Sequence, residues 1–343
     1  MDSPVVRSLI PAPYLDLART PASSVVRMIT EQQKIGTGFG AHSTADDVLV
    51  GIDLTGSTAL VTGGYSGLGL AATRALAGAG ARVIVPARRT ATAREAVRDV
   101  PGVEVLPLDL ADLESVRIFA ERLLDAGRTL DVVLANAGIM ACPETRVGPG
   151  WEAHFAVNHL GHHALVNRLR PGLAPGARVV AVASSGHFLS DIRWDDIHFR
   201  TGYDRWLAYA QSKTANALFA VHLDRLGAAS GLHAFAVHPG SILTPLQRHV
   251  PREDWAGLGW VAADGRPAEG FKTPEQGAAT AVWAATSPLL DGRGGAYCQD
   301  CDLAEPATTE DMLVGGVKPW ARDPDAAARL WDLSAELTGT HAF

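Results

Sequence analysis

From Ser57 onward the sequence alternates short apolar runs with segments of helical periodicity. The apolar runs have the length and the branched side chains of buried strands. They are Thr58–Thr62, Arg82–Pro86, Val103–Pro107, Asp131–Ala135, Arg178–Ala183, His233–His238 and Ala296–Cys298. The helical segments include Ser66–Ala77, Leu113–Ala126 and Trp206–Leu226. Because such alternation builds a parallel sheet covered by helices on both faces, it predicts an α/β fold with one doubly wound parallel sheet.

The 343 residues are expected to form one main domain, because neither an internal repeat nor a linker interrupts the alternation. We expect this domain to span about 51–305 and to follow an N-terminal arm, 1–50. Residues 306–343 are predicted to be a C-terminal extension, in which Asp323–Leu337 has the pattern of a surface helix.

The arm is rich in Pro, Ser, Thr and Gly, which favours an extended segment over a helix near Ser24–Lys34. Its last part contains Ser43–Asp46, which fits a capping box with aspartate in place of glutamate. This pattern predicts a short helix that ends at Leu49.

The charge and the apolar pattern exclude several classes of protein. A net charge of −7 gives no basic field for nucleic acid or for an anionic membrane. No secretory signal is evident, and no run approaches the roughly 20 apolar residues of a membrane span. Three cysteines suit a reducing compartment better than a disulfide framework. We therefore expect a cytoplasmic protein that binds a small molecule.

A glycine-rich loop, Thr62–Gly69, joins the first predicted strand to the first helix. Glycines at this point let the backbone approach a pyrophosphate, and the amides at the helix N-terminus then face the anion. With 35 glycines in the chain, a structural turn is the alternative. The position after the first strand of an alternating fold favours dinucleotide binding and a sheet of the Rossmann type.

The end of the second strand distinguishes the two nicotinamide cofactors. An acidic residue there would hold the ribose 2′-hydroxyl of NAD(H). This sequence instead has Ala87 followed by Arg88 and Arg89, and guanidinium groups suit a 2′-phosphate. NADP(H) is therefore favoured over NAD(H), with Arg88 as the phosphate ligand. Arg89 could equally begin a solvated helix face.

Tyr209 and Lys213 lie four residues apart, on one face of a predicted helix. A ketone that accepts hydride also needs a proton, and a phenol with a pKa near 10 is a poor neutral-pH acid–base unless an ammonium group lowers that pKa. An ordinary surface pair is the alternative. Ser184 and Ser185 follow a strand, where a hydroxyl could face the same crevice or simply cap a helix.

Together these features resemble the short-chain dehydrogenase/reductase family, over about 53–301. The resemblance implies a catalytic set of Ser185, Tyr209, Lys213 and Asn158, the last supporting a water-linked proton relay. The cofactor-binding residues that it implies, together with Arg88, are Thr62, Gly63, Tyr65, Ser66, Gly67, Leu68, Gly69, Asp109, Leu110, Asn136, Ala137, Gly138, Tyr209, Lys213, Pro239, Gly240, Ile242 and Thr244. One departure is Ala135, which stands where the family has an asparagine.

Within the family, the segments 155–162, 209–216 and 238–240 look most like the retinol-dehydrogenase-like group, which includes the WW-domain oxidoreductase. The resemblance implies an NADP(H)-dependent oxidoreductase that interconverts a ketone or aldehyde and an alcohol, as a homo-dimer or homo-tetramer. Two alternatives remain open. One is an NADP-binding regulator or scaffold without catalysis, and the other is a light-dependent C=C reductase of the protochlorophyllide type.

A long segment, about 241–273, follows the sixth predicted strand and contains Leu246, Trp255, Leu258 and Trp260. Loops at the carboxyl ends of strands often close over substrates, and these side chains would suit a bulky apolar one. A satellite hydrophobic core is the alternative.

No metal site is predicted. Cys298 and Cys301 form a Cys-x-x-Cys pair, but the chain has too few cysteines for a four-cysteine zinc site, and buried inert thiols are expected. Three histidines at helical spacing have no HExxH pattern beside them, so a role in packing or relay support is expected. They are His159, His162 and His163.

Overall fold

The computed structural model describes residues 30–343. The arm before residue 30, including most of the helix considered over Ser24–Lys34, lies outside the described residues. From Thr58 onward the chain forms one large sheet with helices on both of its faces, which confirms the predicted α/β fold.

Ten strands are present in the described part of the chain. They are β1 (Thr58–Val61), β2 (Arg82–Ala87), β3 (Val103–Pro107), β4 (Leu130–Ala135), β5 (Arg146–Val147), β6 (Trp151–Glu152), β7 (Leu173–Val182), β8 (His233–His238), β9 (Tyr297–Gln299) and β10 (Asp302–Leu303). Eight of them form the main sheet in the order β3-β2-β1-β4-β7-β8-β9-β10. Only β10 is antiparallel to its neighbour, and β5 and β6 form a separate hairpin.

Seven α-helices accompany the strands in residues 30–343. They are α1 (Gly67–Gly78), α2 (Thr90–Ala96), α3 (Leu113–Asp125), α4 (Gly161–Leu169), α5 (Arg205–Gly227), α6 (Pro274–Thr286) and α7 (Pro324–Thr338). A π-helical segment, Phe155–Leu160, runs directly into α4. None of these helices is long and apolar enough to cross a membrane.

The alternation of side chains along each strand divides the core into two layers. In β1, Ala59 and Val61 face the layer that contains α1 and α6, whereas Leu60 faces the layer that contains α3, α4 and α5. Because apolar side chains cover both faces, the central strands are apolar at nearly every position, as parallel strands require.

The short helix of the arm is present as a 3-10 turn, Asp47–Leu49. Its capping box lies one residue later than predicted. Thr44 Oγ1 accepts from the Asp47 N–H at 3.2 Å, and the Asp47 carboxylate accepts from the Thr44 N–H at 2.8 Å. Ser43 instead closes the preceding turn by accepting from the Gly40 N–H. The predicted register was wrong by one residue, because threonine caps a helix as well as serine does.

The two ends of the described chain pack onto the main sheet and its helices. At the start, Gln32 bonds to the backbone of Tyr297, and Asp302 accepts from the N–H groups of Ile35 and Gly36. At the end, the ring of Trp331 in α7 stacks on Phe219 of α5, with centroids 5.8 Å apart. One face of the predicted surface helix is thus buried.

Candidate active site

A cavity of about 870 Å³ opens at the carboxyl ends of β1 and β4. The sheet order reverses between these two strands, and such a reversal creates a crevice for ligands. Arg88 and the eighteen residues that the family resemblance implies for cofactor binding all line this cavity, from the loop after β1 to Thr244. Ser185, Tyr209 and Lys213 line it too, whereas Asn158 is buried behind its wall.

The glycine loop is packed so tightly that a side chain would not fit. A Cβ atom at Gly69 would lie 2.3 Å from the Gly63 carbonyl oxygen and 2.6 Å from Asn136 Nδ2. Asn136 Nδ2 itself donates to the Thr62 carbonyl oxygen at 2.8 Å. The loop after β1 and the strand end after β4 therefore form one rigid floor, which fits the pyrophosphate and ribose of a dinucleotide.

His162, one of the three histidines at helical spacing, supports this floor from its buried side. The Asn158 carbonyl oxygen can only accept, so His162 Nδ1 carries the hydrogen of their 2.9 Å bond. His162 Nε2 is then the acceptor for the Thr62 hydroxyl, at 2.9 Å. Thr62 Oγ1 in turn accepts from the N–H groups of Asn136 and Ala137, both at 2.9 Å. Burial lowers the pKa of His162 to about 4, which keeps it neutral in this role.

Two arginines form the far end of the cavity. Arg88 and Arg89 follow β2 directly, and both side chains are exposed to the solvent that fills the cleft. Among residues 30–343, no carboxylate lies within ion-pair distance of either guanidinium. Asp109 lines the cavity as well, with its Oδ1 accepting from the Ala111 N–H at 2.9 Å.

Tyr209 and Lys213 meet the cavity from α5, which begins at Asp204 with a side-chain cap on the N–H groups of residues 206 and 207. Burial raises the pKa of Tyr209 to about 12, against the opposing effect of a hydrogen bond with Ser184. Burial also lowers the pKa of Lys213 to about 7. Lys213 Nζ lies 5.6 Å from the Tyr209 ring centroid and donates to the Val182 carbonyl oxygen at 2.8 Å.

Burial thus opposes the predicted lowering of the Tyr209 pKa by Lys213. The physical reason is desolvation, which acts on both groups. It disfavours the phenolate and the ammonium alike.

Both serines of the predicted pair lie near Tyr209. The Ser184 hydroxyl opposes the rise in the Tyr209 pKa, and Ser185 stays the predicted catalytic serine. A Cβ atom at Gly186 would lie 3.1 Å from Tyr209 Cε1 and 3.3 Å from Ser184 Oγ, so the three residues are in close contact. Ser185 lines the cavity beside them, and its N–H donates to His238 Nδ1 at 3.1 Å. Both hydroxyls are thus near the place where a carbonyl oxygen would sit.

Asn158 acts as a clamp within the protein. Its Oδ1 accepts from the Ile139 N–H at 2.8 Å, and its Nδ2 donates to the Ile139 carbonyl oxygen and to Ser212 Oγ. Ser212 Oγ in turn donates to the Tyr209 carbonyl oxygen at 2.7 Å. Asn158 therefore ties the end of β4 to the helix turn that carries Tyr209, and the water relay stays a prediction.

Sequence reasoning missed a buried charge pair under the substrate side of the cavity. Glu152 Oε1 lies 2.7 Å from His154 Nδ1, and both side chains are inaccessible to solvent. On its other side, His154 Nε2 lies 3.3 Å from Cys142 Sγ. Glu152 and Cys142 raise the pKa of His154 to about 9 despite its burial. The three residues lie within twelve positions of one another, but no spacing rule marks such a cluster.

The segment 241–273 forms one wall of the cavity and also packs as a small hydrophobic cluster, so the satellite core is present and the lid stays a prediction. Its Leu246, Leu258, Trp260 and Phe271 line the cavity. Leu246, Trp255 and Trp260 also pack with Met140, Tyr209 and Val250. Met312, from the C-terminal extension, lines the cavity as well, although no role was predicted for that extension.

The remaining candidate residues are packed inside the protein. Burial raises the pKa values of Cys298 and Cys301, which fits inert thiols. His159 bonds to Ser334 Oγ at 2.7 Å, and His163 packs on Trp331 with ring centroids 4.6 Å apart. Residues 30–343 contain no group of three side chains placed to hold a metal ion.

Comparison with known proteins agrees with this geometry. The family model described as short chain dehydrogenase matches residues 57–255. A Streptomyces lividans protein named "Probable oxidoreductase" is 45% identical over 296 residues, which cover 83% of this chain and 98% of that protein. Human retinol dehydrogenase 14 is 36% identical over 310 residues, which cover 83% and 87% of the two chains.

A solved structure from Burkholderia cenocepacia, a short chain dehydrogenase in complex with NADP, superposes with a TM-score of 0.56. It is 25% identical, and the match covers 72% of this chain and 96% of that one. The family model spans more than half of the sequence, and the relatives match along most of their length. The chain therefore belongs to the short-chain dehydrogenase/reductase family and is an oxidoreductase.

Proposed function

We propose that this enzyme interconverts a ketone or aldehyde and an alcohol on a bulky apolar small molecule, with NADP(H) as its cofactor. The observation that carries the proposal is the convergence of Tyr209, Lys213 and the two serines Ser184 and Ser185 on the cavity that the glycine loop also lines. A nicotinamide bound there would supply or accept the hydride. The protein contributes orientation, proton transfer and the exclusion of water.

Tyr209 is the proton donor for carbonyl reduction. Because burial raises its pKa to about 12, the phenol is protonated at neutral pH and ready to act as an acid. As hydride reaches the carbonyl carbon, the phenol proton passes to the carbonyl oxygen, and the products are the alcohol and a tyrosinate. Lys213 Nζ, which spends one hydrogen bond on Val182, has others free to stabilise that anion and bind a ribose hydroxyl.

The preference for NADP(H) rests on the arginines after β2. Ala87 ends the strand without an acidic side chain, and the guanidinium groups of Arg88 and Arg89 face the cavity without carboxylate partners in the described chain. A 2′-phosphate carries close to two negative charges at neutral pH and bonds well to such groups. The NADP complex of the Burkholderia relative supports the same choice.

The apolar substrate follows from the opposite end of the cavity. Four side chains of the segment 241–273 and Met140 give that end an aromatic and aliphatic surface. A large apolar group beside the carbonyl would bury area against it, and each 100 Å² buried is worth about 2.5 kcal/mol.

The test compares Tyr209→Phe with Tyr203→Phe. Tyr203 donates its hydroxyl to the Cys142 carbonyl oxygen at 2.9 Å and does not line the cavity, so it is a matched control. We expect Tyr209→Phe to bind NADPH like the wild type and to lose at least about 100-fold in turnover of apolar ketones. Tyr203→Phe should remain active. Binding of NADPH by the wild type with no turnover of any carbonyl or alcohol would instead indicate a regulator or scaffold.

Cofactor choice is tested with Arg88→Ala, and with Arg82→Ala as the control at the opposite end of β2. We expect Arg88→Ala to weaken NADPH at least about tenfold and to leave NADH nearly unchanged, because only NADPH carries the 2′-phosphate. Equal losses for both cofactors would refute the phosphate role of Arg88.

A further inference from the structure

We propose that Arg248, on the segment 241–273, is a third arginine that binds a phosphate group of the dinucleotide, so that the cofactor itself holds this segment over the substrate. The inference rests on the proposed function and adds a residue that couples the two halves of the site. Neither the sequence motifs nor the family resemblance singled out Arg248.

The first step is the position of the segment against the glycine loop. A short 3-10 turn, Pro245–His249, begins at Thr244, whose side chain forms a capping box with Gln247. Gln247 Nε2 donates to the Ile242 carbonyl oxygen at 2.7 Å, which fixes the turn to the chain before it. A Cβ atom at Gly67 would lie 3.2 Å from the Thr244 side chain. The turn therefore sits directly on the loop that faces the pyrophosphate.

The second step is the charge at this place. Arg248 lines the same cavity as Arg88 and Arg89, and its only hydrogen bond in residues 30–343 is from Nη1 to the Pro245 carbonyl oxygen, at 3.1 Å. No carboxylate of the described chain is within ion-pair distance of these three guanidiniums. Partial burial lowers the pKa of Arg248, and the charges of Arg88 and Arg89 lower it further. Three positively charged guanidinium groups thus line one cavity without a carboxylate to balance them. A bound anion would balance their charge.

The third step links this charge to the substrate. Leu246 precedes Arg248 by two residues, and Leu258 and Trp260 follow in the same segment. All of them line the cavity. A phosphate bound by Arg248 would therefore keep the apolar wall closed while the cofactor is present, and release of the cofactor would free it.

Binding measurements test the phosphate contact. Arg248→Ala is compared with Arg252→Ala, a variant in the same segment whose guanidinium stacks over Trp255 at 5.1 Å and does not line the cavity. Calorimetry with adenosine 2′-monophosphate and with ADP-ribose separates the two phosphate sources. We expect Arg248→Ala to weaken NADPH and at least one fragment by about tenfold or more. Arg252→Ala should stay within about twofold of the wild type for every ligand.

The fragments show which phosphate is bound. Loss for the 2′-monophosphate alone assigns the 2′-phosphate, and loss for ADP-ribose assigns the pyrophosphate. Unchanged affinity for both fragments and for NADPH would overturn the inference. If Arg88→Ala still weakens NADPH in that case, the proposed function stands and only the role of Arg248 fails. If the wild type binds no NADPH at all, the proposed function itself fails.

Proteolysis tests the coupling. Chymotrypsin cleaves after residues such as Trp255, Leu258 and Trp260, and cleavage reports how often the segment opens. We expect NADPH at saturating concentration to protect the wild type and Arg252→Ala from cleavage in this segment, but to protect Arg248→Ala much less. Equal protection of all three proteins would show that the cofactor does not hold the segment through Arg248.

Discussion

At the scale of single residues, the buried lysines differ in whether a carboxylate pairs with them. The chain has only four, and the side chains of Lys213, Lys272 and Lys318 are all buried. Lys272 and Lys318 have carboxylate partners at 2.6 Å, Asp300 and Glu310. In residues 30–343, the hydrogen-bond partner of the Lys213 ammonium is only the Val182 carbonyl oxygen. A buried ammonium without a counter-charge is costly, so it is retained where its charge can be used.

The two serines make a prediction at the same scale. The hydrogen bond from Ser184 lowers the pKa of Tyr209, so its loss should raise that pKa. In Ser184→Ala, the oxidation of an alcohol, which needs the tyrosinate, should reach half of its maximal kcat at a higher pH. In Ser185→Ala, kcat should fall without such a shift, because Ser185 would only position the substrate oxygen. The measurement is kcat against pH in the oxidative direction.

Two further variants serve as controls for this comparison. Ser184 Oγ also accepts from the Gly186 N–H at 3.0 Å, so Ser184→Thr, which keeps the hydroxyl, should restore the wild-type profile. Ser190→Ala removes an exposed hydroxyl after the same turn and should change nothing. A shift in Ser185→Ala with none in Ser184→Ala would assign the proton-side contact to Ser185, as the family resemblance implies.

At the scale of elements, local patterns predicted what local physics determines. β3 and β8 have the predicted bounds, and the other predicted strands of the sheet begin or end within one residue, except that β7 begins five residues earlier at Leu173. The apolar run of a strand and the periodicity of a helix can each be recognised within one short segment of the sequence. The edge strand β10 and the hairpin of β5 and β6 have two residues per strand, and such short pairs depend on contacts from elsewhere.

The candidate site likewise has parts that a local motif predicts and parts that depend on the folded chain. Its floor follows from the glycine loop, because that motif carries its own geometry. The roles of His162 and Ser184 could not be predicted, since they depend on which hydroxyl or carbonyl the folded chain brings near them. The direction of the Tyr209 pKa depends on burial, and a spacing of four residues says nothing about burial.

The hairpin supplies the element-scale prediction. Glu152 accepts from the N–H groups of His154 and Phe155, at 2.9 and 2.8 Å, besides pairing with the His154 ring. These contacts hold the pKa of Glu152 below its usual value. Removing one partner of a buried pair leaves the other charge unpaired, so Glu152→Gln should cost about 3 kcal/mol or more in the free energy of unfolding.

Urea unfolding at pH 7 measures this cost, and Glu144→Gln is the matched control. Glu144 pairs with Arg146 at 2.5 Å in the same hairpin region, but at the surface, so its loss should cost less than about 1 kcal/mol. The Glu152→Gln variant should also raise KM for the substrate, because the His154 ring lies edge-on to the ring of Tyr209, with centroids 6.2 Å apart, and Tyr209 lines the cavity. Equal small costs for the two variants would contradict a structural charge pair.

At the scale of the whole molecule, buried histidines connect the helices of one layer. His159 and His163 of the segment before and within α4, and His222 of α5, surround Trp331 and Ser334 of α7. Burial lowers the pKa of His163 to about 3 and that of His222 to about 4. The same cause lowers the pKa of His238, on the other side of the site, to about 3.

These shifts make the fold sensitive to acid. Each histidine binds a proton in the unfolded chain near pH 6.5 but stays neutral in the folded protein down to about pH 3 or 4. Between these values the unfolded state binds more protons, so the free energy of unfolding falls as the pH falls. Each such group contributes up to ~1.4 kcal/mol per pH unit. His154, with its pKa raised to about 9, has the opposite sign and loses its contribution only at alkaline pH.

We therefore expect the free energy of unfolding to drop by several kcal/mol between pH 6.5 and pH 4.5, and His163→Gln to show a smaller drop than the wild type. The variant removes a group that only the unfolded state protonates in this window, so its stability relative to the wild type should rise as the pH falls, by about 1 kcal/mol per pH unit. His42→Gln, at an exposed position, should follow the wild-type curve. Denaturant unfolding at each pH measures all three proteins. Parallel curves for His163→Gln and the wild type would mean that His163 already carries its proton in the folded state. That result would contradict a neutral His163 packed against Trp331.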